Sequence, residues 1–110
     1  MKGRVIYKAV LNLLFKDALS QDTIEQLDNV ASRLCFRDVS KEFQEKFQEK
    51  CKVFLKADPF YMLFIIVREN EVEVQMTVED WRELRNFEKR AIREVMALLS
   101  PPQDDVQIFV

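Results

Sequence analysis

One glycine in 110 residues, Gly3, is the tightest constraint on this chain. Without glycine there is no loop of the kind whose backbone closes around a phosphate, and helices joined by short polar turns are favoured. The turns are left to capping and helix-breaking residues: Ser20 and Asp22, Ser40, Asp58-Pro59, Asn70, Thr77 and Pro101-Pro102. Histidine is absent too, which removes the commonest general base and metal ligand at neutral pH.

The length suits a single domain over residues 1–110 with one hydrophobic core. Seventeen basic and nineteen acidic side chains leave a net charge of −2, so no global field draws the chain to nucleic acid or to an anionic membrane. The longest apolar run, Phe60 to Val67, is too short to span a bilayer as a helix. Lys2, Arg4, Lys8 and Lys16 make the start of the chain basic, but Lys8 and Asn12 interrupt any signal-peptide core, so no targeting segment is expected. Cys35 and Cys51 sit within helix-like apolar patterns and read as buried free thiols of a reducing compartment. A zinc site needs paired ligands that are missing here. These features point to a cytoplasmic protein with no metal or cofactor.

Periodicity supplies the expected elements. From Arg4 to Leu19 apolar residues cover most of a helical circumference, and Arg4, Lys8, Asn12 and Lys16 form a narrow polar stripe recurring every four residues. A second helix is capped by Ser20 or Asp22 and buries Ile24, Leu27, Val30, Ala31, Leu34 and Cys35. A third starts at Ser40 and turns Phe43, Phe47, Cys51, Phe54 and Leu55 inward until Asp58-Pro59 ends it. Phe60 to Val67 then reads as a strand covered on both faces. The strict alternation of Glu71 to Met76 completes a β-hairpin through the Arg68–Asn70 turn. Thr77 caps a long last helix stopped by Pro101-Pro102, and Val106 to Val110 reads as a short C-terminal strand. The expected fold is α+β: three N-terminal helices, a β-hairpin, a long helix and a short C-terminal strand.

Two amphipathic helices joined through Val30 to Ser40 resemble a helix-turn-helix. With the hairpin as wing and the last helix for dimerisation, the element order is similar to that of winged-helix proteins. That resemblance implies DNA binding by the 22–55 helix pair through Lys41, Gln44 and Gln48. Against it, Lys41, Lys46 and Lys50 are balanced by Glu42, Glu45 and Glu49, and the wing tip Arg68-Glu69-Asn70-Glu71 is acidic. Arg82, Arg85, Lys89 and Arg93 share one face of the last helix and suit an acidic partner, although Glu79, Glu83, Glu88 and Glu94 lie within one turn. The C-terminal Ile108-Phe109-Val110 reads as an edge strand in preference to a tail for a peptide-binding domain.

Catalysis is disfavoured. Neither cysteine has a histidine to activate it, and the hydroxyls and carboxylate pairs are accounted for by caps, turns and helix starts. The expected function is therefore that of a small non-catalytic protein-interaction or assembly module, a homodimer or part of a larger assembly. It buries apolar surface of the first helix through Tyr7, Leu11 and Phe15, with Arg82, Arg85, Lys89 and Arg93 as a second contact group.

Overall fold

The computed structural model describes residues 4–99. In chain order the elements are β1 (Tyr7–Leu14), α1 (Gln21–Arg33), β2 (Arg37–Asp38), α2 (Ser40–Phe47), β3 (Lys52–Ala57), β4 (Tyr61–Val67), β5 (Glu71–Val78), a 3-10 turn at Trp81–Leu84 and α3 (Phe87–Leu99). The strands make one antiparallel sheet in the order β1-β5-β4-β3-β2. The molecule is α+β, but its arrangement departs from the one expected above.

The segment expected as the first helix is strand β1. Lys8 and Asn12 recur every four residues, which fits a helical stripe, but four is also twice the strand repeat of two. In the strand Tyr7, Ala9, Leu11 and Leu13 face the core while Lys8, Val10, Asn12 and Leu14 face outward. What decides between the periods is the partner: the eight residues of β5 need a neighbour, and β1 pairs with all of them, from Tyr7 opposite Val78 to Leu14 opposite Glu71.

The third helix is also shorter than expected. It ends at Phe47, where Gln48 takes left-handed angles (φ 55°), and the chain resumes as β3. Alternation places Phe54 on the inner face of the sheet and Val53 and Leu55 on the outer face, so the five residues assigned to one helical stripe divide among three environments. Ser40 does not cap α2 by its side chain. Its hydroxyl accepts the N–H of Val53 at 2.8 Å, while the Asp38 carboxylate accepts the N–H of Ser40 at 2.8 Å and so supports the first turn. Burial opposes ionisation of Asp38, but these Ser40 bonds and the Lys52 ammonium hold its carboxyl below the usual range.

The hairpin β4–β5 lies inside the sheet, not as a separate wing, and β4 is fully covered only on its inner face. Leu63 and Ile65 are buried there, whereas on the outer face Ile66 is buried but Met62 is 41% exposed and Phe64 half-buried, short of the two-sided cover expected from its continuous apolar run. The long last helix is interrupted. Thr77 and Val78 continue the alternation of β5, and Asp80 caps the 3-10 turn by accepting the N–H of Arg82 at 3.0 Å. The α-helix itself starts only at Phe87. Pro101-Pro102 and the expected strand Val106–Val110 lie outside the described residues.

Two apolar clusters hold these layers together. The larger lies between the inner sheet face and α1 and α3. Leu27, Val30 and Ala31 of α1 and Phe87, Ala91, Val95 and Leu98 of α3 meet Phe54, Leu63, Ile65, Val72, Val74 and Met76 there. The smaller lies under α2 on the opposite face, where Phe43 packs on Val39, Val53, Leu55 and Ile66. An ion pair from Lys56 of β3 to Glu94 of α3, at 3.1 Å and largely shielded from solvent, fixes α3 behind β3. No helix among the described residues is long and apolar enough to cross a membrane.

Scarcity of glycine leaves a mark at the end of α1. The N–H of Phe36 bonds to the carbonyl of Ala31 at 2.8 Å and that of Cys35 to Ser32 at 3.1 Å, the paired closure of a Schellman motif. The left-handed position of that motif is normally glycine; here it is Cys35, at φ 66° and exposed, where a buried thiol was expected. A Cβ in this conformation costs about 1 kcal/mol. Cys35→Gly is therefore expected to stabilise the protein by about 1 kcal/mol and raise the melting temperature by about 4 °C. Thermal unfolding followed by far-ultraviolet dichroism measures this, and an unchanged or lower midpoint counts against the strain.

Candidate functional site

Two features meet on the outer face of the sheet: the free edge of β1 and a groove beneath α2. The edge follows from the register. The N–H of Phe15 bonds to the carbonyl of Asn70 at 2.8 Å, and the same phase turns the backbone groups of Leu13, Leu11, Ala9 and Tyr7 toward β5. The N–H and C=O groups of Lys8, Val10, Asn12 and Leu14 consequently point away from the sheet, with no strand beyond them among the described residues. An eight-residue edge strand carrying one charge, no proline and no bulge lacks the usual safeguards against pairing with another chain. Its outward side chains include Val10, 49% exposed, and Leu14, 76% exposed, and Val5 and Ile6 immediately before it are exposed as well. The inward row of β1 is only half-buried, whereas Val72, Val74 and Met76 beside it on β5 are fully buried.

The groove has a volume of about 540 Å³ and lies between α2 and the outer sheet face. One cross-strand row, Val10–Gln75–Phe64–Leu55–Arg37, runs through all five strands beneath it. Phe64, Leu55, Ile66 and Val53 make an apolar floor, Phe43 and Phe47 of α2 one wall, and Lys8, Arg37, Lys46 and Glu42 supply the charges. Phe43 and Phe47 lie with ring centroids 4.7 Å apart, and the Lys46 ammonium sits 5.4 Å from the centre of the Phe47 ring. At the far end of this face the Arg68 guanidinium bonds to Glu49 at 2.7 Å and to Glu73 at 3.1 Å, which holds the chain after α2 against the β4–β5 turn. Burial pushes the Cys51 thiol above its usual value and the Glu49 carboxylate acts in the same direction, the opposite of nucleophile activation.

The residues expected to carry function are distributed as follows. Tyr7, Leu11 and Phe15 lie on the inward side of the β1 segment, half-buried against the main cluster. Arg82, Arg85, Lys89 and Arg93 are all exposed, but the break between the 3-10 turn and α3 prevents a single helical stripe. Arg82 is held by Asp80 at 2.8 Å, and Arg85 and Lys89 border one shallow depression together with Glu88.

Lys41, Gln44 and Gln48 are exposed on α2 and its cap, and none of them lines the groove. The helix pair itself is not formed as expected. Residues 52–57 are β3, strand β2 occupies the intended turn, and α1 and α2 pack on opposite faces of the sheet. A two-turn α2 seated on a sheet has no supporting helix to present it to a DNA groove.

Lys8, Arg37, Lys46 and Phe64 were not among the residues expected to carry function. The signal for them is strand register, which brings distant residues into one cross-strand row and is invisible in local spacing. The chain matches no protein-family model, no curated protein and no solved structure.

Proposed function

We propose that this protein is a non-catalytic interaction module that self-associates by pairing β1 with the β1 of a second copy. The observation that carries this reading is the β1 edge, unpaired among the described residues and nearly uncharged, with apolar side chains on both of its faces. A two-fold axis at Leu11 sets Val10 opposite Asn12 and Lys8 opposite Leu14 of the other copy. That register uses all four outward-facing residues in one ten-stranded sheet. Pairing also brings together the half-buried inward rows of the two copies, including Tyr7 and Leu11. These side chains would gain the cover that their counterparts on β5 already have. The raised Cys51 thiol and the absence of histidine support the non-catalytic half of the reading.

Sedimentation equilibrium tests it. The expected mass at tens of micromolar is twice the 13.1 kDa of the chain. Val10→Lys places like charges near the two-fold axis of the edge and is expected to return the protein to the mass of one chain with an unchanged dichroism spectrum. A wild-type protein that stays a single chain at high concentration, or a dimer indifferent to Val10→Lys, overturns the proposal.

A further inference from the structure

We infer that the groove beneath α2 binds a single-chain fatty carboxylate, its head between Lys8 and Lys46 and its chain along the floor toward β2. The course of α2 sets the two ends. The Ser40 hydroxyl accepts the N–H of Val53, which fixes the start of the helix over β3. Beyond the last turn Glu49 is held by Arg68, which also bonds to Glu73 of β5, so the helix crosses the strands from the β2–β3 side toward β5. Glu42 in the first turn therefore shares the β2 end of the groove with Arg37, and these opposite charges offset one another there. Lys46 in the last turn shares the other end with Lys8 of β1.

Positive charge is thus concentrated at the β1 end. Lys8 and Lys46 make no ion pair among the described residues. Thr77 of β5 stands directly opposite Lys8 in the register and lines the groove beside it. The carboxylate of Glu73, farther along β5, is already paired with Arg68 at 3.1 Å. Two ammonium groups and a hydroxyl at one end suit a carboxylate, whose oxygens accept hydrogen bonds from all three.

The body of the groove is apolar, with Phe64, Leu55 and Ile66 as floor and Phe43 and Phe47 as wall. Strands β4 and β5 are paired along both edges, so a peptide laid across them would bury backbone N–H and C=O groups without partners, whereas an alkyl chain has none to satisfy. From Thr77 on β5 to Arg37 on β2 the floor crosses three strand spacings, about 14 Å. A twelve-carbon chain, advancing about 1.3 Å per bond, has that reach. The groove volume of about 540 Å³ falls within the range of small-molecule sites. All of these groups belong to one chain, so the inference stands or falls independently of self-association through β1.

The test is a titration of the full-length chain with sodium dodecanoate below its micelle concentration, followed by backbone amide spectra. Dodecanoate is expected to saturate one site per chain and to shift the amides of Lys8, Lys46, Phe64 and Thr77 while those of α1 and α3 stay in place. Lys8→Ala with Lys46→Ala, at two exposed positions, is expected to weaken binding about tenfold or more with an unchanged dichroism spectrum. Lys8→Glu with Lys46→Glu is expected to abolish dodecanoate binding and to admit dodecyltrimethylammonium in its place. The inference is overturned by the absence of a saturable shift, by shifts on another surface, by dodecyl maltoside binding as tightly as dodecanoate, or by a double alanine variant that binds as well as wild type. Tighter binding in the same groove of an acetylated hexapeptide of alternating glutamate and valine overturns it too, since the occupant would then be a peptide.

Discussion

Leu11→Pro is expected to cost about 3 kcal/mol or more, while Val10→Pro and Asn12→Pro on either side cost about 1 kcal/mol or less. The difference comes from the direction of three backbone amides. The N–H of Leu11 points to β5, opposite Val74, and proline there removes a ladder bond, leaves the Val74 carbonyl without its donor and takes an apolar side chain from the rim of the main cluster. The amides of Val10 and Asn12 face away from the sheet and lose no partner among the described residues. Urea unfolding at a concentration low enough to keep the chains separate reads the difference without the contribution of association. A helix over the same residues would lose about 3 kcal/mol at every one of the three positions. Equal losses would therefore refute the strand and its phase together. At higher concentration the two tolerated variants are expected to sediment as single chains, because each blocks the edge through which a second copy pairs.

The second large contrast is Phe54→Ala against Phe47→Ala. Phe54 is 1% exposed, in the main cluster between the sheet and the two packing helices, whereas Phe47 is 57% exposed at the end of α2. Truncating the first leaves a cavity in a closely packed layer and is expected to cost about 3–5 kcal/mol. For a domain of ordinary stability that is a large part of the total. Truncating the second removes a partly solvated ring that touches Phe43 and is expected to cost about 1 kcal/mol or less. Chemical denaturation of the two variants gives both numbers. Similar costs would mean that Phe47 and Phe54 share one buried helical face, as their seven-residue spacing suggests, and would contradict β3.

These two contrasts fall where local sequence pattern and tertiary structure part company. Helix α1 was legible because its cap, its acidic first turn and the centre of its apolar face agree: Ser20 accepts the N–H of Thr23, and Leu27, Val30 and Ala31 are buried, although Ile24, expected to be buried with them, is exposed. Strands β4 and β5 were legible for a similar reason, since Val72, Val74 and Met76 alternate without exception and all three are fully buried. Strands β1 and β3 were not. Their polar residues recur at spacings that serve both a helix and a strand, and the choice was made by β5 and β4, whose backbone groups and apolar faces each required a neighbour.

The candidate site shows the same limit. Tyr7, Leu11 and Phe15 were expected on the face of a helix and lie instead half-buried on the inward side of the β1 segment. Lys8, Arg37 and Lys46 gather around one groove only through the register of five strands and the seating of α2.

By itself the sequence determined the mixture of helix and strand, the β4–β5 hairpin, and turns built from caps in the near-absence of glycine. At Cys35 that scarcity extends to a left-handed position that glycine normally fills. Tertiary structure alone decided which ambiguous segments became strands, which edge was left open and which charges converge on the groove. The physical reason is that helical propensity and capping act over a few residues. A strand, by contrast, is defined by partners distant in the chain, and no local spacing reports whether such a partner exists.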